Sequence, residues 1–381
     1  MFVVIKAHNQ TDQIKSNQCN QSIIGEIKRI YMNYTAIIKK AWQGYDDSKH
    51  IRSIEDISAL VSTNHVFRIT FIDDDIVIAK LSYFGKYEHF KEDHRIIHSL
   101  CNNLLYPFEN LLSKSLLKNN RVYTYRYKWG KTDAWVVFYN PTRVMQRLPR
   151  RLDEHQIRKL AQQIAKFHKA CSRVSNVLPK SSKTLRTDMN TLTEQLHANP
   201  MKFGSLDKGE VIEYHCEQFL KYRTKYNAGT FETIPVFIDW NIGNFSVNNK
   251  LELFSRWDYD WFRMSSRMMD FYFFSRVVSD AGDRTVFSYL VNPMMEDRFM
   301  IFLKEYHQIN PLTADELRFL REAYRFFILN YVIKDGQYFF SHQYAEKLQA
   351  EAFEIYLPSI ETGFDAEKLI DTLGIEVPEY K

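Results

Sequence analysis

The chain has 381 residues, is 45% hydrophobic and 25% charged, and carries 51 Lys and Arg against 46 Asp and Glu, a formal charge of +5. That length and apolar content suit two domains or one large two-lobed fold with a sizeable core, and exclude a disordered chain, a collagen-like chain and a disulfide scaffold. A balance this mildly basic does not by itself imply nucleic acid, and no run of about 18 apolar residues is present to span a bilayer.

The four cysteines, Cys19, Cys101, Cys171 and Cys216, form no CxxC pair and match no common zinc spacing, so they read as free, mostly structural thiols of a reducing compartment. The N-terminal MFVVIKAHNQTDQ has a short apolar stretch without a leading positive cluster and does not read as a signal peptide. The expected location is the cytoplasm.

Residues 1–18 read as a polar lead-in. Ile23, Ile24, Ile27, Ile30, Tyr31, Tyr34, Ile37, Ile38 and Trp42 then recur at spacings of three and four, which predicts an amphipathic helix. Between about 57 and 82 the residues turn β-branched and aromatic around the acidic turn Asp73-Asp74-Asp75, which predicts a hairpin. Helical spacing returns over 87–102 with Phe90, Ile96, Ile97 and Leu100. RVYTYRYKW and AWVVFYN flank a turn from Gly130 to Asp133 as a second hairpin. After Pro149 the pattern is mainly helical, opening on 153–173 with Asp153 as N-cap. A polar stretch over about 175–206 reads as a loop with a short helix, followed by a helix around Leu220. TIPVFIDWNIGNFSV and KLELFSRWDYDWF read as paired short strands, and helices follow at about 262–280, 294–307, 313–333 and 338–356, with Thr313 and Glu316 as a capping box. This order predicts an α+β architecture: a small β-rich lobe, a strand-like hinge, and a larger, mainly helical lobe, with the ligand site in the cleft between them.

The chemistry concentrates in Phe237-Ile238-Asp239-Trp240-Asn241-Ile242-Gly243-Asn244. An apolar strand delivers an Asp, a tight loop delivers an Asn five residues on, and Asp258 ends a second apolar strand. Paired strands would bring Asp239, Asn244 and Asp258 to one edge. Magnesium takes hard oxygen ligands, with one or two carboxylates supplemented by phosphate and water, and phosphoryl transfer to a hydroxyl wants a carboxylate beside the acceptor. Upstream, Lys80 ends the apolar run Val77-Ile78-Ala79, and a buried ammonium needs a counter-charge or a phosphate. Glu88, Glu92 and Asp93 follow on the next helix, and Glu92, close to its apolar stripe, is the preferred partner.

These segments resemble, in order, the aminoglycoside phosphotransferase and choline kinase group of small-molecule kinases, which have a protein kinase-like fold. FIDWNIGN resembles the group's H-G-D-x-x-x-x-N motif, RWDYDW its metal-binding stretch, LAQQIAKFHKACS its L-A-x-x-L-A-x-L-H helix with His168 at the His position, VIAK its strand lysine and WVVFYN its hinge strand. Asp270 matches an Asp that braces the catalytic region. The resemblance covers about 57–345 and implies a 1–50 extension, a nucleotide-binding lobe over 51–140 and a catalytic lobe over 141–381. It also implies an enzyme that uses ATP or GTP with Mg to phosphorylate a hydroxyl of a small molecule, of aminoglycoside, choline, sugar or amino-alcohol type. No nucleic-acid or membrane partner is expected. Asp239 would position and deprotonate the acceptor hydroxyl. Lys80, held by Glu92, would contact the nucleotide phosphates. Ser62, Thr63 and Asn64 would lie in the phosphate-facing loop, and backbone groups near Phe138 and Asn140 would meet the base. Asn244 and Asp258 would bind the metal. Phe237 and Ile238 stand where the group has His and Gly, which motivates the alternative of a weakly active or inactive pseudokinase serving as a nucleotide-binding scaffold. His168 reads as structural and the run of Met and Phe over 264–274 as core.

Overall fold

The computed structural model describes residues 33–59, 64–83, 85–130, 132–282 and 288–376. Five antiparallel strands form one sheet in the order β1-β2-β3-β7-β6, where β1 is Ile51–Asp56, β2 His65–Phe71, β3 Ile76–Ser82, β6 Thr124–Trp129 and β7 Thr132–Tyr139. Asp74, at φ +66°, turns the chain between β2 and β3, a conformation that Asp tolerates better than most side chains. A two-stranded ribbon, β4 (Leu117–Lys118) and β5 (Arg121–Val122), precedes β6. The strand β1 joins the predicted hairpin as a third member. IRSIED leaves no buried side chain in the folded chain, so neither apolar alternation nor a buried run marks it in the sequence.

Helix α1 (Tyr34–Tyr45) lays Ile37, Ile38, Ala41 and Trp42 on this sheet. Asn33 caps it by accepting from Ala36 N at 2.9 Å, which satisfies one of the orphan amides of the first turn. The part of the predicted helix before residue 33 lies outside the described residues. The period-two alternation of strands then splits the sheet between two cores. Phe67, Ile69 and Phe71 of β2, Val77, Ala79 and Leu81 of β3, and Ala134, Val136 and Phe138 of β7 pack with α1. Val137 and Tyr139 of β7 face the other way, into the large core of the helical region. Lys80 pairs with Val137, and Ala79 with Phe138. Lys80 therefore projects from the face that looks into the cleft.

Helix α2 (Tyr87–Asn103) follows β3 and buries Ile96, Ile97 and Leu100 in the large core. Beyond the hinge, α3 (Glu154–Val174) starts at a capping box between Asp153 and Gln156. The 175–206 stretch is more helical than its Lys, Thr and Asn content suggests: α4 (Leu185–Ala198) buries Met189, Leu192 and Leu196 at spacings of three and four. Then comes α5 (Leu206–Lys225). The short strands pair in two separate ladders, β8 (Ile234–Val236) with β11 (Arg263–Ser265), and β9 (Phe245–Val247) with β10 (Leu253–Arg256). Helices α6 (Met268–Val278), α7 (Asp297–Ile309) and α8 (Ala314–Phe327) build the main helical layer. Every residue of α6 except Arg276 is buried, and the Thr313–Glu316 box caps α8. After a π-helical continuation over 328–334, α9 (Gly336–Phe339), α10 (His342–Glu351), α11 (Leu357–Ser359) and α12 (Ala366–Leu373) close the chain. The architecture is a five-stranded antiparallel lobe followed by a mainly helical one. Cys101, Cys171 and Cys216 are free and buried.

Candidate active site

The loop between β8 and β9 carries Asp239 and Asn244. Its entry is tightly determined. Asp270, fully buried on α6, accepts from Phe237 N at 3.0 Å and Ile238 N at 2.6 Å through one carboxylate oxygen. Its other oxygen meets His168 Nε2 at 3.1 Å, and His168 Nδ1 meets the Tyr306 hydroxyl at 2.8 Å. His168 is thus a structural member of a buried polar chain, and Asp270 braces the loop. Ile238 sits at φ +61°, a backbone conformation strained for a β-branched residue. Directly after it, Asp239 N bonds back to Phe237 O at 2.6 Å, and the Asp239 side chain stands at the loop's turn, half-buried.

Asn244 Nδ2 donates to Asp239 O at 3.3 Å, and Asn244 O accepts from Trp257 N at 3.0 Å. These bonds join the Asp239 loop to the segment after β10, where Asp258 lies at φ +68°. Lys80 Nζ reaches Asp258 Oδ1 at 2.8 Å and Asp260 Oδ1 at 2.6 Å. Asp260 Oδ2 accepts from Asn64 Nδ2 at 2.6 Å, and Asn64 Oδ1 accepts from Ser82 Oγ at 2.8 Å. Lys80, Asn64 and Asp258 therefore meet at one point between the lobes, and the loop that carries Asp239 and Asn244 is bonded to the segment that carries Asp258. Asp260 completes the point. It was visible in the sequence as the second acid of Trp257-Asp258-Tyr259-Asp260, two residues on from one already singled out.

Three of the expected placements differ. Glu92 does not hold Lys80: its carboxylate accepts from Ser181 Oγ at 2.8 Å and Ser182 N at 2.7 Å. On the same helix His94, whose ring feels the Lys80 charge, is buried between Phe90 O at 2.8 Å and the Tyr139 hydroxyl at 2.5 Å. Burial lowers the His94 pKa to about 4, so it is neutral and adds no counter-charge. Phe138 is fully buried in the core packed with α1, against Trp42 and Tyr123, because its place in the alternation is opposite to that of Lys80. Its carbonyl accepts from Leu116 N at 2.8 Å. Asn140 N donates to Lys114 O at 3.0 Å, so these two backbone groups are already engaged by the neighbouring 114–116 segment. Ser62 and Thr63 lie outside the described residues.

The electrostatics follow the burial. Burial, reinforced by the charge of Asp258 and opposed by Arg256, raises the Asp239 carboxyl to about 7. Burial also pushes Asp258 upward, but Lys80 more than offsets this and holds it below the usual carboxylate range. Lys80, although buried, is held firmly protonated by the two carboxylates. A carboxylate near neutrality beside a carboxylate–lysine pair is an arrangement that separates a proton-accepting group from a cation-holding one.

Among the described residues no cluster of three or more His, Cys, Asp and Glu is set to hold a metal by itself. The oxygen set fits magnesium nevertheless. With Asn244 Nδ2 occupied by Asp239 O, its amide oxygen and the Asp258 carboxylate offer two hard ligands, and magnesium bound with nucleotide takes the rest from phosphate and water.

Comparison by sequence finds no match among family descriptions or among curated proteins. Comparison by structure finds several. An amicoumacin kinase in complex with AMP-PNP, Ca2+ and amicoumacin superposes with a TM-score of 0.59 at 13% identity, over 91% of this chain and 99% of that one. A microcompartment-associated aminopropanol kinase gives 0.56 at 11% identity, over 89% and 99%. A wild-type aminoglycoside 2'-phosphotransferase in its GDP complex gives 0.51 at 14% identity, over 88% and 100%. The five-stranded antiparallel lobe and the helical lobe of this chain together have the protein kinase-like fold of the aminoglycoside and macrolide phosphotransferases and related small-molecule kinases.

Proposed function

We propose that the chain is a magnesium-dependent phosphotransferase that moves the γ-phosphate of ATP or GTP to a hydroxyl of a small molecule. The observation that carries this reading is the meeting of Lys80 with Asp258 at 2.8 Å, beside a half-buried Asp239 whose carboxyl is raised to about 7. The sheet lobe together with α1 forms the nucleotide side, and the region from about 141 onward the catalytic side. A cytoplasmic location suits the free thiols and ATP chemistry, and among the described residues no helix is long and apolar enough to cross a membrane.

In this reading Asp239 accepts a hydrogen bond from the acceptor hydroxyl, aims its oxygen along the line of the breaking bond, and takes the proton as transfer proceeds. Lys80 moves from the two carboxylates to the nucleotide phosphates and offsets their charge. Asp258 and Asn244 would hold magnesium, which would offset the charge on the phosphate oxygens. Asp260 shares the lysine's charge while no nucleotide is bound and, through Asn64 and Ser82, ties the sheet to the helical lobe. Asp270 and His168 keep the loop rigid and touch no substrate.

The test has two stages. Thermal stabilisation by ATP and GTP, each with and without magnesium, establishes the nucleotide site, and the stabilisation requires magnesium and Asp258. Phosphate transfer is then screened on amino alcohols, aminoglycosides, sugars and choline, with Asp239→Ala as control. That variant keeps nucleotide binding and loses at least about 100-fold of turnover. No stabilisation by either nucleotide, or full turnover in the variant, overturns the reading. The second reading, a nucleotide-binding scaffold without turnover, is favoured by Phe237 at the position where the resembling group has His, and a magnesium-dependent shift without transfer to any hydroxyl supports it.

A further inference from the structure

Arg256 ends β10 in full burial, and among the described residues it makes no ion pair. Its guanidinium stands instead on backbone carbonyls. Nη1 donates to Asp258 O at 2.6 Å and Trp257 O at 3.2 Å, and Nη2 donates to Asp239 O at 3.0 Å. Its plane is covered by the ring of Phe237 at 4.2 Å and that of Trp240 at 4.8 Å. Its Nε is buried with no partner. A buried cation without a bonded carboxylate is costly, and an apolar side chain of similar length would fill the same space without that cost. The retained charge therefore calls for something that only a fork of donors supplies.

The two loops that it joins explain the fork. One carries Asp239 directly after a strained Ile238, and the other carries Asp258, itself left-handed at φ +68°. The Asp270 carboxylate fixes the amides of the first loop ahead of Asp239, but the carbonyl of Asp239 and that of Asp258 both point at Arg256. We propose that Arg256, stacked on Phe237, is the positioning residue that sets the spacing of Asp239 from Asp258 by holding their own carbonyls on one guanidinium. The inference rests on the reading of these two acids as proton acceptor and metal ligand. Phe237 thereby gains a role of its own: it supplies the aromatic face that makes a buried guanidinium tolerable at this place.

The experiment compares Arg256→Lys, Arg256→Met and Phe237→Leu with the wild type by amide hydrogen exchange and by steady-state kinetics. Lysine keeps the charge but cannot span both carbonyls with a planar fork. In Arg256→Lys the amides of 238–244 and 257–260 exchange at least about tenfold faster while those of α7 and α8 keep wild-type protection. kcat falls at least about tenfold, with KM for the nucleotide within about threefold. Phe237→Leu moves the same two loops in the same direction, less far. If Arg256→Met does not fold, Arg256→Lys decides. Wild-type exchange and wild-type kcat in Arg256→Lys overturn the proposal. So does a loss of protection spread evenly over the helical lobe, which would mark a purely structural residue. Should the wild type transfer no phosphate to any hydroxyl, the phosphotransferase reading fails, and the exchange pattern alone still decides whether Arg256 ties the two loops.

Discussion

Asp239 couples the chemistry of the site to the stability of the fold. Its carboxyl sits at about 7 in the folded chain, chiefly because burial disfavours the charged form, against about 4 in an unfolded chain. The folded state therefore binds this proton more tightly, and stability falls as pH rises from about 4 to about 7. Asp239→Asn removes that loss. Thermal melts find the variant more stable than the wild type at about pH 8, by on the order of 5 °C, with the gap closed near pH 4. Turnover runs the other way, rising through about pH 7 as Asp239 deprotonates, so the pH–rate profile and the melts move in opposite directions. The neighbouring Ile238 poses a contest of magnitudes. Its left-handed backbone costs on the order of 1–3 kcal/mol, while its side chain, 1% exposed, gives up roughly 2–5 kcal/mol if removed. Burial wins, and Ile238→Gly lowers the melting temperature although it relaxes the backbone. A gain in stability would show that the strain is the larger quantity.

At the scale of elements, the connector between α3 and α4 fastens α2 to the helical lobe. Ser181 and Ser182 bind Glu92, and Lys183 Nζ reaches Asp93 Oδ2 at 2.6 Å and Phe262 O at 3.1 Å. Burial raises Asp93 to about 6, with Lys183 pulling the other way. Lys183→Met leaves a buried carboxylate without its partner, a loss on the order of 2–4 kcal/mol at about pH 8. Near pH 5 the loss is smaller, because Asp93 can protonate. Chemical denaturation at the two pH values measures the difference, and adding Asp93→Asn to the variant recovers part of the stability. This strap also explains why Glu92, the partner that the sequence suggests for Lys80, is engaged elsewhere. Glu92 and Asp93 are adjacent, both within a turn of Ile96, and their partners lie about ninety residues away in a polar stretch without a periodic signal. The legible elements carry their own punctuation: the Asp153 and Thr313 capping boxes, the acidic turn before Ile76, the apolar run into Lys80. The β8–β11 ladder was not legible, because each strand is three residues long and only the fold of the intervening loops brings them together.

Across the whole molecule, β7 divides its side chains between two cores, and the polar residues at their junction form the joint between the lobes. Asp239, Asn244 and Asp258 could be grouped from sequence because apolar strands deliver them at short range. The companion of Lys80 could not, since the C-terminal lobe supplies it across 178 residues and α2 offers only the neutral His94. Two acids share that lysine, and their removal has different consequences. Asp260, 20% exposed in its side chain, bonds both Lys80 and Asn64. Asp260→Asn therefore weakens the hold on a buried ammonium and loosens the lobes, at about 1–3 kcal/mol in the nucleotide-free chain. Once nucleotide phosphates reach Lys80 they replace the lost charge. The magnesium-dependent stabilisation by nucleotide therefore persists in Asp260→Asn and is at least as large as in the wild type. Asp258→Asn keeps one carboxylate on the lysine but trades an anionic ligand for a neutral amide oxygen, and the magnesium-dependent stabilisation by nucleotide is lost. Melting curves of both variants with ATP, with and without magnesium, separate the two. If Asp260→Asn loses the magnesium dependence and Asp258→Asn retains it, the second acid of Trp257-Asp258-Tyr259-Asp260 is the metal ligand and the first is the partner of the lysine.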